Sequence, residues 1–173
     1  MAELHIGESD CQFSVLRIWR AGPELHQALS REFGLPWPSQ PNTAVSHGAT
    51  VLWLAPGEWG IAGLPGAAAA ASAARACGPA LHDVADVSDG RVQFDVSGTF
   101  ARTLLSKGCS LDLHPRAFGP GACAQSLLAQ VPVLITAVTA AGTSAAYRLW
   151  ADASFARYLR AWFSDAALEF SAR

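Results

Sequence analysis

Four residues close together in the sequence are the first candidates for chemistry: His82, Asp83, Asp86 and Asp89. A histidine near carboxylates can act in general acid–base catalysis. If residues 81–87 form a strand, however, His82 and Asp83 point to opposite faces of the sheet. Asp86 and Asp89 lie in a turn, where Asp side chains commonly accept hydrogen bonds from nearby backbone. The pattern therefore favours structural roles over catalysis.

A second group, Cys109, His114 and Cys123, contains three side chains of the type that bind zinc. Structural zinc sites usually contain close pairs such as Cys-x2-Cys, and this group has none. The spacing favours buried cysteines and a loop anchored by His114 and Arg116.

Nucleophilic and phosphate-binding motifs are also missing. Ser46 and His47 are adjacent, but they do not lie in the G-x-S-x-G turn of a nucleophile elbow. The Gly-Leu-Pro-Gly string at 63–66 is not a dinucleotide fingerprint, because Pro65 interrupts it and a third glycine is absent.

Three arginines, Arg91, Arg102 and Arg116, can form an anion site, although arginines in solvent or at a protein interface explain them more simply. We therefore predict no catalytic, cofactor-binding or metal-binding residue in this chain.

The composition indicates a protein with partners. Charged residues make up 15% of the 173 residues and hydrophobic residues 51%, whereas typical soluble domains are about 25% charged. The six tryptophans favour a surface buried against another protein, since Trp is enriched at interfaces. An alanine-rich core is the alternative.

Charge and cysteine content bound the class further. A net charge of −2 argues against nucleic-acid binding, and no apolar run is long enough to span a membrane. The N-terminal string MAELHIGESD lacks the pattern of an export signal. We therefore expect a cytoplasmic protein whose four cysteines are reduced.

Hydrophobic periodicity and turn signals predict the elements that must position these side chains. The predicted strands span residues 11–20, 51–55, 58–62, 81–87, 91–97, 121–129, 131–138 and 145–151. The predicted helices lie between Pro23 and Gly34, at 66–77, between an N-cap at Ser97 and Gly108, and at about 154–168. Trp19 is expected on one face of the first strand together with Phe13 and Val15, and Phe155 on the buried face of the last helix.

These elements predict an α+β fold with two intimately packed lobes, each resembling a split βαβ unit. Each lobe is expected to have a mainly antiparallel sheet with helices on one face. Residues 1–11 are expected to be a loose lead-in, 12–85 an N-terminal lobe and 86–173 a C-terminal lobe, or the whole a single domain.

Four segments resemble the gamma subunits of heterotetrameric sarcosine oxidases. They are LWLAPGEWGIAG at 52–63, DVSDGRVQFDVSG at 86–98, ARTLLSKGCSLDLHPRAFGPGACAQSLLAQVPVLI at 101–135 and SFARYLRAW at 154–162. The KGCSLDLHPRAFGPG string within the third is the most specific, because no generic secondary structure requires it.

That family is itself similar to the glycine-cleavage T protein and other folate-binding proteins, which share the VSG–helix–Leu-Leu element and a following strand pair. In the T protein, an acidic residue near the second strand of that pair assists one-carbon transfer to tetrahydrofolate. The matching segment here, QVPVLITAVTAAG, contains no Asp or Glu from Gln130 to Gly142. A neutral apolar segment cannot act as a general base, so folate catalysis is not transferred to this chain.

The resemblance implies a complex of alpha, beta, gamma and delta subunits that oxidises the N-methyl group of sarcosine, or of another N-methyl amino acid. FAD, FMN, NAD and tetrahydrofolate are expected on the alpha and beta subunits and zinc on delta, with gamma supplying packing surface. Two alternatives remain: a free-standing folate-binding or aminomethyltransferase-like protein, in which the arginines would bind folate glutamates, and a binding module that forms homodimers.

Overall fold

The computed structural model describes residues 4–138 and 145–171. The chain divides into two compact units, which we call the N-terminal unit (Cys11–Ser88) and the C-terminal unit (Met1–Asp10 with Asp89–Arg173). Each unit contains one five-stranded sheet in which all neighbouring strands are antiparallel. The predicted α+β class with mainly antiparallel sheets is confirmed.

The described residues form ten strands and four α-helices. The strands are β1 (Leu4–Ser9), β2 (Phe13–Ile18), β3 (Ala44–His47), β4 (Ala49–Ala55), β5 (Glu58–Ala62), β6 (His82–Asp86), β7 (Arg91–Gly98), β8 (Cys123–Leu128), β9 (Val131–Val138) and β10 (Ala145–Asp152). The helices are α1 (Pro23–Phe33), α2 (Gly66–Cys77), α3 (Ala101–Ser106) and α4 (Ala156–Ser171).

The N-terminal unit orders its strands β3-β4-β5-β2-β6, and α1 and α2 pack on each other. Helix α1 begins at Pro23, whose missing N–H costs nothing in the first turn, and ends at Gly34, whose φ of 66° suits glycine. The core of the N-terminal unit is apolar and aromatic. It includes Leu16, Leu29, Val51, Trp59, Ile61, Ala69 and Ala73.

Two features of this unit differ from the predictions. Strand β3, at Ala44–His47, was not among the predicted strands. Trp19 was predicted to lie in this strand on the same face as Phe13 and Val15, and this is wrong: β2 ends at Ile18, and Trp19 is 71% exposed. The chain leaves the strand here because Arg20 adopts a left-handed φ of 66°.

The C-terminal unit orders its strands β1-β7-β10-β9-β8. In β7, buried Val92, Phe94 and Val96 alternate with half-buried polar residues, as the period-two pattern predicts. The ring of Phe94 packs against that of Phe163 on α4, with centroids 5.2 Å apart. This contact joins the helix to the centre of the sheet.

The expected loose lead-in is wrong for residues 4–9, which form β1 and pair with β7. The Arg160 guanidinium also binds the Glu8 carboxylate through two hydrogen bonds of 2.6 and 2.9 Å. A tail with little apolar character is thus held by backbone pairing and an ion pair. The C-terminal unit continues from Asp89, whereas the C-terminal lobe was predicted to begin at residue 86.

Helix starts in this unit also differ. Ser97 was predicted to cap the third helix, but it remains in β7, and Phe100 is the N-cap of α3. Phe155 was expected to face inward, but it is 39% exposed and lies in a short 3-10 turn before α4.

The turn between β8 and β9 has a strained backbone. Ala129 and Gln130 have φ values of 49° and 69°, which non-glycine residues rarely adopt. The Ala129 N–H donates to the Gly108 carbonyl at 2.9 Å, and the Tyr158 hydroxyl donates to the Ala129 carbonyl at 3.1 Å. These tertiary hydrogen bonds hold a turn that its own residues disfavour.

Candidate functional site

Strand β9 is the place where a folate-type acid was sought, and it is almost entirely buried. Ile135 is fully buried, and the hydroxyl of buried Thr136 donates to the Ala122 carbonyl at 2.9 Å. Residues 139–142 of the segment lie outside the described residues. The described part of the segment therefore offers two polar side chains: Gln130, which is exposed in the turn before β9, and Thr136, which is engaged by backbone.

The three predicted anion-site arginines lie on different elements: Arg91 at the start of β7, Arg102 on α3, and Arg116 exposed in the loop before β8. Arg102 has a structural neighbour, because its guanidinium lies beside the buried Tyr147 hydroxyl. Burial raises the pKa of Tyr147 above its ordinary value, and the nearby Arg102 opposes that shift. The neutral phenol donates to the Leu113 carbonyl at 3.1 Å.

The Arg102–Tyr147 pair is a polar feature that the sequence analysis anticipated in part, because it named Arg102 but not Tyr147. Arg102 Nε is buried without a hydrogen-bond partner. The Tyr147 hydroxyl binds the loop that contains Leu113, so this contact of Tyr147 is structural. Binding of folate glutamates would require positive charge facing the ligand. Here the single guanidinium of Arg102 lies against the Tyr147 phenol, which does not make an anion-binding site.

The Cys109, His114 and Cys123 group does not form a metal site. Cys109 and Cys123 are buried, whereas His114 is exposed and its Nδ1 accepts from the Arg116 N–H at 3.2 Å. The Cys109 sulfur lies 3.8 Å from the Ser126 hydroxyl. In the part of the chain that the structure describes, no group of three His, Cys, Asp or Glu side chains is suited to hold a metal ion.

The residues of the His82 group have local roles. His82 Nδ1 lies 2.8 Å from the Ala80 carbonyl, and Asp83 is exposed. Asp86 accepts from the Ser88 N–H at 3.0 Å and from its hydroxyl at 2.5 Å, and these two hydrogen bonds lower the pKa of the Asp86 carboxyl. Asp89 is exposed in the 3-10 turn that precedes β7.

Asp86 also explains a glycine. A Cβ placed on Gly66, the first residue of α2, would lie 2.0 Å from the Asp86 Oδ2 atom. The carboxylate therefore sits against the start of the helix, where negative charge is favoured by the helix dipole. Asp86 on β6 thus lies in close contact with the first residue of α2.

Ser46 and His47 lie in the tight β3–β4 hairpin. Adjacent strand residues point to opposite faces, and the Ser46 hydroxyl shares a 2.9 Å hydrogen bond with Thr50 across the hairpin. No described residue places a base beside Ser46 in a nucleophile arrangement.

Sequence reasoning missed an aromatic cleft of about 540 Å³ in the N-terminal unit. We call it the Trp19 cleft; its lining includes Trp19, Arg20, His26, Trp53 and Trp59. The His26 ring meets the Trp59 ring edge to face, with centroids 5.6 Å apart. Burial lowers the pKa of His26 below its ordinary value of 6.5, and its Nε2 is buried without a hydrogen-bond partner.

A second cleft of about 320 Å³ lies on the other side of Trp19. Its lining includes Arg17, Glu58, Leu81, His82 and Asp83. Arg17 and Glu58 are joined by two hydrogen bonds of 3.2 Å. The concentration of Trp residues within 19–59 was the available sequence signal; the tryptophans were interpreted as favouring a protein interface, but no cleft was predicted from them.

A family model described as "Sarcosine oxidase, gamma subunit family" matches residues 18–169. The chain belongs to the sarcosine oxidase gamma subunit family. A sarcosine oxidase subunit gamma from Corynebacterium sp. (strain P-1) is 36% identical over 146 residues, covering 83% of this chain and 70% of that protein. One from Arthrobacter sp. is 33% identical over 148 residues, covering 84% of this chain and 71% of that protein.

Solved structures agree with the family assignment. A chain of the heterotetrameric sarcosine oxidase from Corynebacterium sp. U-96, in complex with pyrrole 2-carboxylate, matches with a TM-score of 0.84 and 31% identity. The match covers 98% of this chain and 86% of that one. Aminomethyltransferase T of the Bartonella henselae glycine cleavage system shares the fold alone, with a TM-score of 0.65, 16% identity and coverage of 92% of this chain and 45% of that one.

The predicted family resemblance is therefore confirmed, and so is the relation of its fold to the T protein. All four segments that carry the resemblance, at 52–63, 86–98, 101–135 and 154–162, lie within the matched range 18–169. No helix among residues 4–138 and 145–171 is long and apolar enough to cross a membrane.

Proposed function

We propose that this chain is the non-catalytic gamma subunit of a sarcosine-oxidase-type complex and supplies packing surface for its flavin-bearing subunits. The observation that carries this proposal is membership of the gamma subunit family, together with the likeness to a chain of a heterotetrameric sarcosine oxidase. The assembly would contain alpha, beta and delta subunits beside this one and would work in the cytoplasm.

The chemistry of the described residues supports the non-catalytic role. Ionisable groups singled out in the sequence make local structural contacts, as the Asp86–Ser88 and His114–Arg116 contacts illustrate. Catalytic sites instead bring several titratable groups together around one position. We therefore place FAD, FMN, NAD, tetrahydrofolate and zinc on the partner subunits.

Within such a complex, oxidation of the N-methyl group of sarcosine would occur on the flavin-bearing subunits, and the one-carbon unit would pass to folate there. The apolar strand β9 supports this division, because it offers no carboxylate to hold a cationic folate intermediate. The gamma chain would retain the fold and contribute rigidity and contact area.

The test is co-expression with candidate alpha, beta and delta subunits, with a tag on the alpha subunit and an unrelated flavoprotein as the control. We expect this chain to co-elute with the flavin-containing complex and not with the control. Activity would then be compared on sarcosine and on other N-methyl amino acids. A monodisperse monomer that never joins a flavoprotein would contradict the proposal.

The isolated chain separates the folate alternative from this proposal. We expect no heat of binding when tetrahydrofolate is titrated into it in a calorimeter. Micromolar binding, or aminomethyl transfer by the chain alone, would instead establish a free-standing folate enzyme.

A further inference from the structure

The most exposed large apolar side chains of the N-terminal unit lie side by side. Trp19 is 71% exposed and Leu81 is 74% exposed, and the Trp19 N–H donates to the Leu81 carbonyl at 3.0 Å. Exposed Pro56 lines both neighbouring clefts with Trp19. We call Trp19, Pro56 and Leu81 the Trp19 ridge. An exposed apolar cluster of this kind marks an interaction surface more often than an isolated apolar residue does.

The backbone holds the ridge in place. The Ile18 N–H donates to the Gly57 carbonyl at 2.8 Å, and a Cβ on Gly57 would lie 2.6 Å from the Ile18 carbonyl oxygen. The β4–β5 turn is therefore fixed against the end of β2. A ridge that is already rigid loses little conformational entropy when a partner binds, which favours affinity.

The two clefts beside the ridge differ in charge. Among the described residues, Arg20 is the charged side chain that lines the Trp19 cleft, and no carboxylate lines it. In the second cleft, the carboxylates of Glu58 and Asp83 accompany the single guanidinium of Arg17. The surface is thus cationic on one side of the ridge and anionic on the other.

Arg20 also occupies an unusual backbone conformation. Its φ of 66° is rarely adopted by a side chain of this size. Strained residues of this kind cluster at binding sites, where the strain fixes the direction of a side chain. Here the strain holds an exposed guanidinium at the rim of an aromatic cleft.

We propose that the Trp19 ridge and its two clefts form the surface by which this chain docks onto another subunit of its complex. This inference rests on the proposed function. The partner segment presents apolar side chains to the clefts, a carboxylate to Arg20 and a cation to Asp83. Tryptophan and arginine at the centre of such a patch are the residue types that most often dominate binding energy.

The comparisons favour a different subunit over a second copy of this chain as the occupant, because the matching chain, with a TM-score of 0.84, belongs to a heterotetrameric enzyme. The clefts beside the ridge, of about 540 and 320 Å³, offer room for apolar side chains of such a partner.

The test uses the whole chain co-expressed with the alpha, beta and delta subunits, and compares matched pairs of exposed substitutions. The test variant is Trp19→Ala with Leu81→Ala. The control is Leu127→Ala with Leu168→Ala, at side chains of the C-terminal unit that are 51% and 65% exposed. We expect the test variant to weaken assembly by about tenfold or more and the control to retain it.

A charge reversal keeps the test valid if the double variant folds poorly. Arg20→Glu should weaken assembly, and this loss should shrink at high salt because exposed charges are screened. Arg157→Glu, at another exposed arginine, should have no such effect. The melting temperature of each isolated variant reports folding separately.

The outcomes separate the two proposals. If the wild-type chain co-elutes with the complex and neither test variant weakens assembly, the docking surface is wrong and the proposed function stands. If the wild-type chain never joins a flavoprotein, both fall. If light scattering shows a homodimer that Trp19→Ala with Leu81→Ala dissociates while complex assembly is unchanged, the surface belongs to a second copy, and the inference is overturned.

Discussion

Replacing Phe94 with alanine is the sharpest test of the C-terminal unit. Phe94 lies on β7, which has hydrogen-bonded neighbours on both sides, β1 and β10. Its side chain is 2% exposed, and its ring meets Phe163 at a centroid distance of 5.2 Å and an interplanar angle of 49°. The substitution removes the ring that joins α4 to the middle of the sheet.

The expected cost follows from these contacts. Phe-to-Ala substitutions in a packed core cost about 3–5 kcal/mol, which includes the cavity that remains. The aromatic pair itself contributes roughly 0.5–1.5 kcal/mol of this. Because pairing on both sides keeps β7 from moving into the cavity, we expect a loss of about 4 kcal/mol. That is a large fraction of the roughly 5–15 kcal/mol that stabilises a typical domain.

Urea titration of the purified chain, followed by tryptophan fluorescence and circular dichroism, measures this loss as a change in the free energy of unfolding. Phe155→Ala, at a side chain that is 39% exposed, is the control and should cost less than about 1 kcal/mol. Phe94→Leu should fall between the two at roughly 1–2 kcal/mol. A loss well under 1 kcal/mol for Phe94→Ala would refute the assignment of this strand face to the core.

Three further predictions concern tight contacts and one buried base. Gly108→Ala should lower the free energy of unfolding by about 1–3 kcal/mol in a urea titration, since a Cβ there would lie 2.7 Å from the Trp162 ring. Gly90→Ala is the control and should be neutral, because a Cβ there would have nothing within 4 Å. Equal effects of the two substitutions would contradict the close approach at Gly108. Ala129→Asn with Gln130→Gly should raise the free energy of unfolding by about 1 kcal/mol, because both residues occupy left-handed backbone that Asn-Gly tolerates, and a fall in melting temperature would count against that strain. Burial lowers the folded-state pKa of His26 below 6.5, so the unfolded chain takes up the proton first and stability should fall as the pH drops below 6.5 towards the folded pKa. His26→Gln should flatten this part of the melting-temperature profile and exposed His47→Gln should not; an unchanged slope in His26→Gln would show that another group titrates.

Local signals predicted much of the fold. Helix α2 has the predicted bounds because an alanine-rich run ends at Gly78, and the β4–β5 hairpin turns at Pro56-Gly57 as predicted. Helix α1 begins and ends at the proline and glycine that suit its two ends. These elements carry their own start and stop signals.

The errors occur where distant pairing overrides local preference. Strand β1 has little apolar character, and the strand that fixes it, β7, is far away in sequence. Ser97 has the chemistry of a helix cap, yet it pairs with His5 on one side and with Ala146 on the other. Hydrogen bonds to both neighbours keep it in the strand, so the helix starts later.

The candidate sites also show what local sequence patterns do not predict. Sequence reasoning weighed selected groups of titratable residues for catalysis and placed Trp19 on a strand face by extending the alternation of β2 beyond its end. The left-handed backbone at Arg20 ends that alternation, and a periodicity argument contains no information about it. The Trp19 ridge and its clefts therefore became visible only when β2, the β4–β5 turn and Leu81 were placed together.

Strand β9 connects the fold to the proposed role. Ile135 and Thr136 occupy buried positions on β9, an interior strand of the sheet, and a carboxylate introduced at either would lose its hydration. Burial would raise the pKa of such a group and favour its neutral form unless cationic partners surrounded it. The strand is instead completed by apolar packing and by the hydrogen bond from Thr136 to Ala122. A T-protein-like fold therefore needs no carboxylate on β9 to be stable. This agrees with the proposal that the chain contributes its surface and not a catalytic group.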